Sequence, residues 1–234
     1  MDNSADKLGL AIQAMNNRDP DGADAVLEAI LEVDPGQPSA LRLSGVFACH
    51  RGKYQTAIDL MDRVRAVNPG DPVAYATRGE AFRALGDLSA AEQSLRHALS
   101  LEPGRYDAHY NLALTLWPAG DHGQAATLFN QLLAQGNDSF VPNFYLAQYC
   151  FEAEDADAAE PYLRRAVEPN PLSEKSRHAL GRIFFARGMM PAASEQFEAA
   201  VHLEPQDFDY RMSAAKANFE LGRETRALAY VATE

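Results

Sequence analysis

Six histidines, two cysteines and a surplus of carboxylates are the side chains of this sequence with chemistry to offer. His50, His97, His109, His122, His178 and His202 form no close pair, whereas a zinc site wants His and Cys ligands grouped at short spacing. The stretch GDHGQA at 120–125 carries two glycines but lacks the lysine of a phosphate-cradling loop, so it reads as a connection between helices. Glu152 and Glu154 are close enough to suggest an acid–base pair, yet their setting is that of a solvated turn. Cys49 and Cys150 are too far apart in the chain's organisation to meet. No catalytic, cofactor-binding or metal-binding set emerges, and the chain is expected not to be an enzyme.

Charge narrows the partners. The chain has 234 residues, 33 acidic against 21 basic, for a net charge of −12. An acidic protein is repelled by nucleic acid and by anionic membrane surfaces, so neither is expected as a partner. No apolar run approaches the roughly 20 residues that a membrane helix needs. The acidic start, Met1-Asp-Asn-Ser-Ala-Asp, lacks the basic opening of a signal peptide. Two cysteines make no disulfide framework. These features together predict a cytoplasmic setting.

The elements that must position any site are legible from a repeat. LGDLSAAEQSLRHALSLEP at 85–103 returns as RGMMPAASEQFEAAVHLEP at 187–205, an offset of 102 residues or three times 34. Pro35, Pro69, Pro103, Pro171 and Pro205 fall on that period, with Asn137 in the one gap. An alanine column runs Ala23, Ala57, Ala91, Ala125, Ala159, Ala193, Ala227. A small column runs Ala11, Gly45, Gly79, Ala113, Ala147, Gly181, Ala215, and a large one Leu27, Met61, Leu95, Phe129, Leu163, Phe197, Val231. Gly52, Gly86, Gly120, Gly188 and Gly222 form a fourth, with Arg18 and Glu154 as exceptions. Each unit reads as two helices. The third has one from Val73 to Leu85, stopped by Gly-Asp, and one from Ser89 to Leu101, stopped before Pro103. Small columns let helices approach, and the large column fills the space beside them.

These columns and this period resemble the tetratricopeptide repeat over nearly the whole chain. The resemblance implies an all-α fold: a right-handed α-solenoid of stacked antiparallel helix pairs, about seven units beginning at residues 4, 38, 72, 106, 140, 174 and 208. The last is truncated at 27 residues, in a single array over 1–234. Departures are visible. The aromatic expected early in the first helix is Tyr75 in the third unit but His109, Asn143, Arg177 and Arg211 later. Arg78 replaces the usual Leu. Pro118 should end a first helix early, Pro161 should lie near a helix start, and EPNP at 168–171 should shorten that helix.

The resemblance further implies a concave face, lined by the first helix of each unit, that binds peptides or helices of partner proteins. The Lys, Asn and Arg set with which some members grip a terminal carboxylate is missing, since Leu8, Ile12, Leu43 and Val46 stand there and Asn111 and Lys175 are isolated matches. The asparagine ladder of sugar-transferase arrays is likewise reduced to Asn111. One inner column instead reads Met15, Cys49, Arg83, Trp117, Phe151, Phe185, Phe219, with Tyr110, Phe144 and Tyr145 nearby and Gln148, Arg182 and Lys216 alongside. The expected partner-binding groove is therefore Tyr110, Trp117, Phe144, Gln148, Phe151, Arg182, Phe185, Lys216 and Phe219. Its partner is a protein or peptide with apolar anchors and acidic flanks. The alternative is that the rings only pack between helices. On this reading the chain is an interaction scaffold. Other readings make it the regulatory or substrate-positioning array of a larger enzyme, such as a glycosyltransferase or sulfotransferase, or a module self-assembling through its C-terminal end. There Leu228, Tyr230 and Val231 sit on a final helix with no following unit. Cys150 falls in a core column and is expected buried; Cys49 falls on the inner face and is expected accessible.

Overall fold

The computed structural model describes residues 4–136, 139–167 and 173–232. Among the described residues fourteen helices follow one another in pairs, and no strand occurs. The pairs are α1 (Ser4–Asn16) with α2 (Pro20–Val33), α3 (Pro38–His50) with α4 (Tyr54–Val67), and α5 (Pro72–Leu85) with α6 (Leu88–Leu101). Then come α7 (Tyr106–Leu116) with α8 (His122–Ala134), α9 (Phe140–Glu152) with α10 (Ala156–Val167), α11 (Glu174–Ala186) with α12 (Met190–Leu203), and α13 (Phe208–Glu220) with α14 (Glu224–Val231). The architecture is an all-α solenoid of helix pairs. It forms two compact units, residues 1–128 and 129–234. Asn137, EPNP at 168–171 and Glu234 lie outside the described residues.

Within a pair, the columns do what their sizes dictate. Every member of the alanine column is buried, as are Leu27, Met61, Leu95, Phe129, Leu163 and Phe197 of the large one. The small column faces the large one. A Cβ on Gly79 would fall 2.5 Å from Cγ of Leu95, and one on Gly45 would fall 2.0 Å from Cε of Met61. Backbone and side chain thus occupy space that any other residue would need.

The Gly-Asp break between the helices of a pair has two separate jobs. Gly86 ends α5 in the left-handed conformation at φ +85°, and Asp87 then accepts a hydrogen bond from the Ala90 N–H at 3.0 Å, capping α6. Asp19, Asp121 and Asp155 cap their helices in the same way. The two exceptions in the glycine column keep the glycine backbone: Arg18 has φ +60° and Glu154 has φ +57°.

Proline behaves as expected in α7, which stops at Leu116, short of Pro118. Pro161 departs from expectation. It lies inside α10 beyond the first turn, where its missing N–H deprives the Asp157 carbonyl of a ladder bond. The atypical arginines find partners. Arg78 pairs with Asp62 at 3.0 Å and donates to the Ser94 hydroxyl at 2.6 Å. Arg211 donates to the carbonyls of Tyr230 and Ala232, at 2.8 and 3.0 Å, and so ties α13 to the end of α14.

Candidate functional site

The second unit carries two clefts that share His178 and Arg182. The smaller, of 460 Å³, lies between α9, α11 and Tyr210 of α13, and Phe144, Gln148 and Phe151 line it together with Lys175. The larger, of 1080 Å³, lies among α11, α13 and α14, and Phe185, Lys216 and Phe219 line it. Seven of the sequence-predicted groove residues therefore line two clefts with a common wall. Tyr110 and Trp117 belong to the first unit and line neither. Tyr110 stacks on Tyr106, with ring centroids 6.0 Å apart, and Trp117 stacks on His122 at 4.4 Å.

The rings are neither wholly core nor wholly exposed. Phe151 and Phe185 are half-buried against the core of the second unit, which includes Leu163, Leu180 and Phe184. Each presents its remaining surface to a cleft. Phe185 sits 6.4 Å from Phe197, centroid to centroid, and the Lys216 ammonium lies 5.0 Å above its ring. Phe219 is 64% exposed.

Several arginines away from the clefts are held in ion pairs. Arg51 pairs with Asp24, Arg187 with Asp157 and Glu160, Arg226 with Glu198, and Arg105 with Glu102 and Asp107. Lys175, Arg182 and Lys216 make no ion pair among the described residues. Glu152 lines the smaller cleft and Asp209 and Glu224 the larger, so Lys175, Arg182 and Lys216 stand near carboxylates without pairing to them.

His178 is the site residue that sequence reasoning missed. It is half-buried on α11, with Nε2 2.9 Å from the Ser213 hydroxyl and its ring 4.7 Å from Tyr210 and 5.4 Å from Phe197. Burial, reinforced by the Arg182 charge, pulls its pKa below the usual histidine value against the opposing pull of Asp207 and Asp209. Nothing in the local sequence marks it, because its surroundings come from three helices.

The cysteines exchange their expected settings. Cys49 is buried, covered by α5, with its sulfur 4.0 Å from the Thr77 carbonyl. Burial, aided by Glu80 and opposed by Arg83, pushes its thiol up to about 12. Cys150 is only half-buried, at the edge of the core of the second unit. The inner face of a first helix is covered where the following first helix crosses it, which spacing within one helix does not reveal. Similarly, Tyr230 of α14 packs on that core, while Leu228 and Val231 stay exposed.

Among the described residues no group of three His, Cys, Asp or Glu side chains is placed to hold a metal ion, and no helix is long and apolar enough to cross a membrane.

Paired helices with buried small columns define the class as a helical-repeat protein. The tetratricopeptide repeat family profile matches residues 8–72, 77–140 and 178–233. The chain belongs to the tetratricopeptide repeat family. A TPR repeat-containing protein of Methanocaldococcus jannaschii is 21% identical over 91% of this chain, and the chain spans 39% of the length of that relative. The solved PilF of Pseudomonas aeruginosa superposes with a TM-score of 0.80 at 17% identity, covering 91% of this chain and 97% of that one. YrrB, described as a TPR protein with an unusual peptide-binding site, superposes with a TM-score of 0.64 at 22% identity over 73% of this chain and 88% of that one.

Proposed function

We propose that this chain is a non-catalytic interaction scaffold whose second unit binds a polypeptide segment across the two clefts. The observation that carries the reading is the placement of Lys175, Arg182 and Lys216 among Phe144, Phe151, Phe185 and Phe219, none of the three ion-paired among the described residues although Glu152, Asp209 and Glu224 share the lining. Aromatic faces at the edge of the core supply rigid apolar contact at little entropic cost. The cations select carboxylates and orient them. The bound segment therefore has apolar anchors spaced to reach the rings and acidic residues flanking them. The peptide-binding site for which YrrB is described supports the reading by analogy of fold. A cytoplasmic setting belongs to the same proposal, since both thiols are free.

Selection from a displayed random-peptide library tests it. Enriched peptides are expected to combine aromatic or aliphatic anchors with Asp or Glu. Their binding should weaken with rising salt and fall at least tenfold in Arg182→Glu and Lys216→Glu. Peptides without acidic residues, or binding indifferent to both variants, would overturn the reading.

A further inference from the structure

The wall between the two clefts has a chemistry of its own. Among the described residues, His178 and Arg182 are the pair that lines both clefts. They stand one turn apart on α11, so their side chains share a face. Phe144 and Phe151 lie on one side of this wall, in the smaller cleft. Phe185 and Phe219 lie on the other, in the larger.

Positive charge in excess collects at the wall and not within either cleft. Apart from the wall, the smaller cleft sets Lys175 against Glu152, and the larger sets Lys216 against Asp209 and Glu224. Those linings are neutral and net negative, so a carboxylate gains little by lying deep in either. The Lys216 ammonium is also held over the Phe185 ring, at 5.0 Å. Arg182 is exposed and makes no ion pair or hydrogen bond among the described residues. It is the cation whose planar fork is open to an incoming carboxylate.

His178 adds a second donor at the same place. Its ring packs on Tyr210 and Phe197, and its Nε2 lies 2.9 Å from the Ser213 hydroxyl, so the imidazole is already oriented. Nδ1 makes no hydrogen bond to a described residue. With Ser213 donating to Nε2, Nδ1 carries the proton and donates in turn. One guanidinium beside one neutral N–H suits the single charge of a carboxylate, whereas a phosphate dianion calls for a second cation.

We propose that the wall reads one internal Asp or Glu of the bound segment, its carboxylate taken by Arg182 and His178, with one apolar anchor on each side of it. One anchor meets Phe144 and Phe151, and the other meets Phe185 and Phe219. This inference rests on the groove reading and deepens it: the acid that selects the segment stands between the anchors and not outside them. Because a cleft continues on each side of the wall, the carboxylate belongs to a side chain and not to a chain terminus.

The probe is a set of synthetic peptides with both ends blocked, titrated against the whole chain beside a library-selected peptide. Each holds two Phe residues at a range of separations and one Glu before, between or after them; a matched set has Gln in place of Glu. The set with Glu between should bind at least tenfold more tightly than the sets with Glu outside and than its Gln match. Arg182→Glu should abolish that preference, and exchanging the peptide Glu for Lys should restore binding to this variant. Lys175→Glu and Lys216→Glu should weaken binding without changing the order of the sets. His178→Phe should weaken the set with Glu between and spare its Gln match, a split that lost packing alone would not produce. Binding that ignores the place of the Glu, is tightest with it outside the anchors, or gains tenfold from a free C-terminal carboxylate overturns the proposal and leaves the groove reading standing. So does the absence of saturation by every designed set below about 1 mM while the selected peptide binds. When neither binds, the groove reading falls with it.

Discussion

A β-carbon placed on Gly181 would lie 2.5 Å from Cδ1 of Phe197, on the partner helix of the same pair. The ring is 2% exposed and wedged in the core, so it has little room to retreat. Gly45 differs, because the atom in the way is the terminal methyl of Met61, which swings aside at small cost.

Replacing the two glycines with alanine should therefore have opposite outcomes. Alanine is favoured over glycine in a helix by about 1 kcal/mol, whereas overpacking costs about 1–3 kcal/mol. Gly45→Ala should leave the melting temperature unchanged or raise it, and Gly181→Ala should lower it. Leucine sits opposite alanine in the pairs Ala11–Leu27 and Ala147–Leu163, so Phe197→Leu should rescue Gly181→Ala. A double-mutant cycle by denaturant unfolding should show favourable coupling beyond about 0.5 kcal/mol.

The turn between paired helices gives a second test. Arg18 and Glu154 hold the left-handed conformation that glycine supplies elsewhere, at φ +60° and +57°. That conformation costs a residue with a side chain about 1–2 kcal/mol, partly offset by the greater freedom glycine has when unfolded. Glu154→Gly and Arg18→Gly should each stabilise the fold by about 0.5–1 kcal/mol. Gly188→Ala, at φ +73° with nothing within 4 Å of an added Cβ, should destabilise it through the backbone alone. Thermal unfolding of the three variants checks the sign.

Cys49 and Cys150 should separate in a thiol-modification experiment. Only the thiolate reacts. Burial pushes Cys49 up to about 12 and seals it beneath α5. Cys150 is raised as well, by burial and Asp155, but stays half-exposed. Modification at pH 8 should label Cys150 slowly in the native protein and reach Cys49 only on unfolding, which peptide mapping by mass spectrometry would resolve. Native labelling of Cys49 first would contradict the packing of α3 under α5.

Histidine protonation should tilt stability with pH. Burial and Arg182 lower the pKa of His178 in the folded chain below its unfolded value of about 6.5. Below that value, and until the folded pKa is reached, the unfolded chain binds more protons. Stability contributed by neutral His178 is thus present above about pH 6.5 and is lost as pH falls through that window. His178→Gln keeps a partner for Ser213 and should flatten the slope of melting temperature between pH 7.5 and 5. An equal slope in the variant would assign the dependence to other groups.

Local rules made most of the fold legible. The pairing of Gly79 with Leu95 and of Gly181 with Phe197 follows from columns that a single sequence displays seven times over, and a helix pair has one way to bury them. What depended on three helices at once was not legible. The setting of His178 is made by Phe197, Tyr210 and Ser213, each on a different stretch of chain from its own. Cys49 looked accessible because a helical wheel shows which face it is on, not whether the next pair lies across that face. The Gly-Asp break was visible as an interruption, but Asp87 turned out to begin α6 as much as Gly86 ends α5. The groove column was legible as a row of rings. That Phe151 and Phe185 are half-buried while Phe219 is exposed was not, because their spacing is the same whether they meet core or solvent.

Phe185 and Arg182 separate packing from recognition. Phe185 is half-buried against Phe197 and beneath the Lys216 ammonium. Its removal should destabilise by about 2 kcal/mol, less than the ~3–5 kcal/mol of a fully buried ring. Arg182 is exposed and makes no ion pair among the described residues, so Arg182→Ala should change stability by less than about 0.5 kcal/mol. If the clefts bind an acidic, apolar segment, both variants lose affinity for selected peptides, Phe185→Ala with a lower melting temperature and Arg182→Ala without one. Phe219→Ala, at a ring 64% exposed, should resemble Arg182→Ala in leaving the fold intact. Calorimetric binding and thermal melting on the three variants give six readings. Intact affinity in Arg182→Ala and Phe219→Ala, with loss confined to the destabilised Phe185→Ala, would show that the rings serve packing and that the partner binds elsewhere.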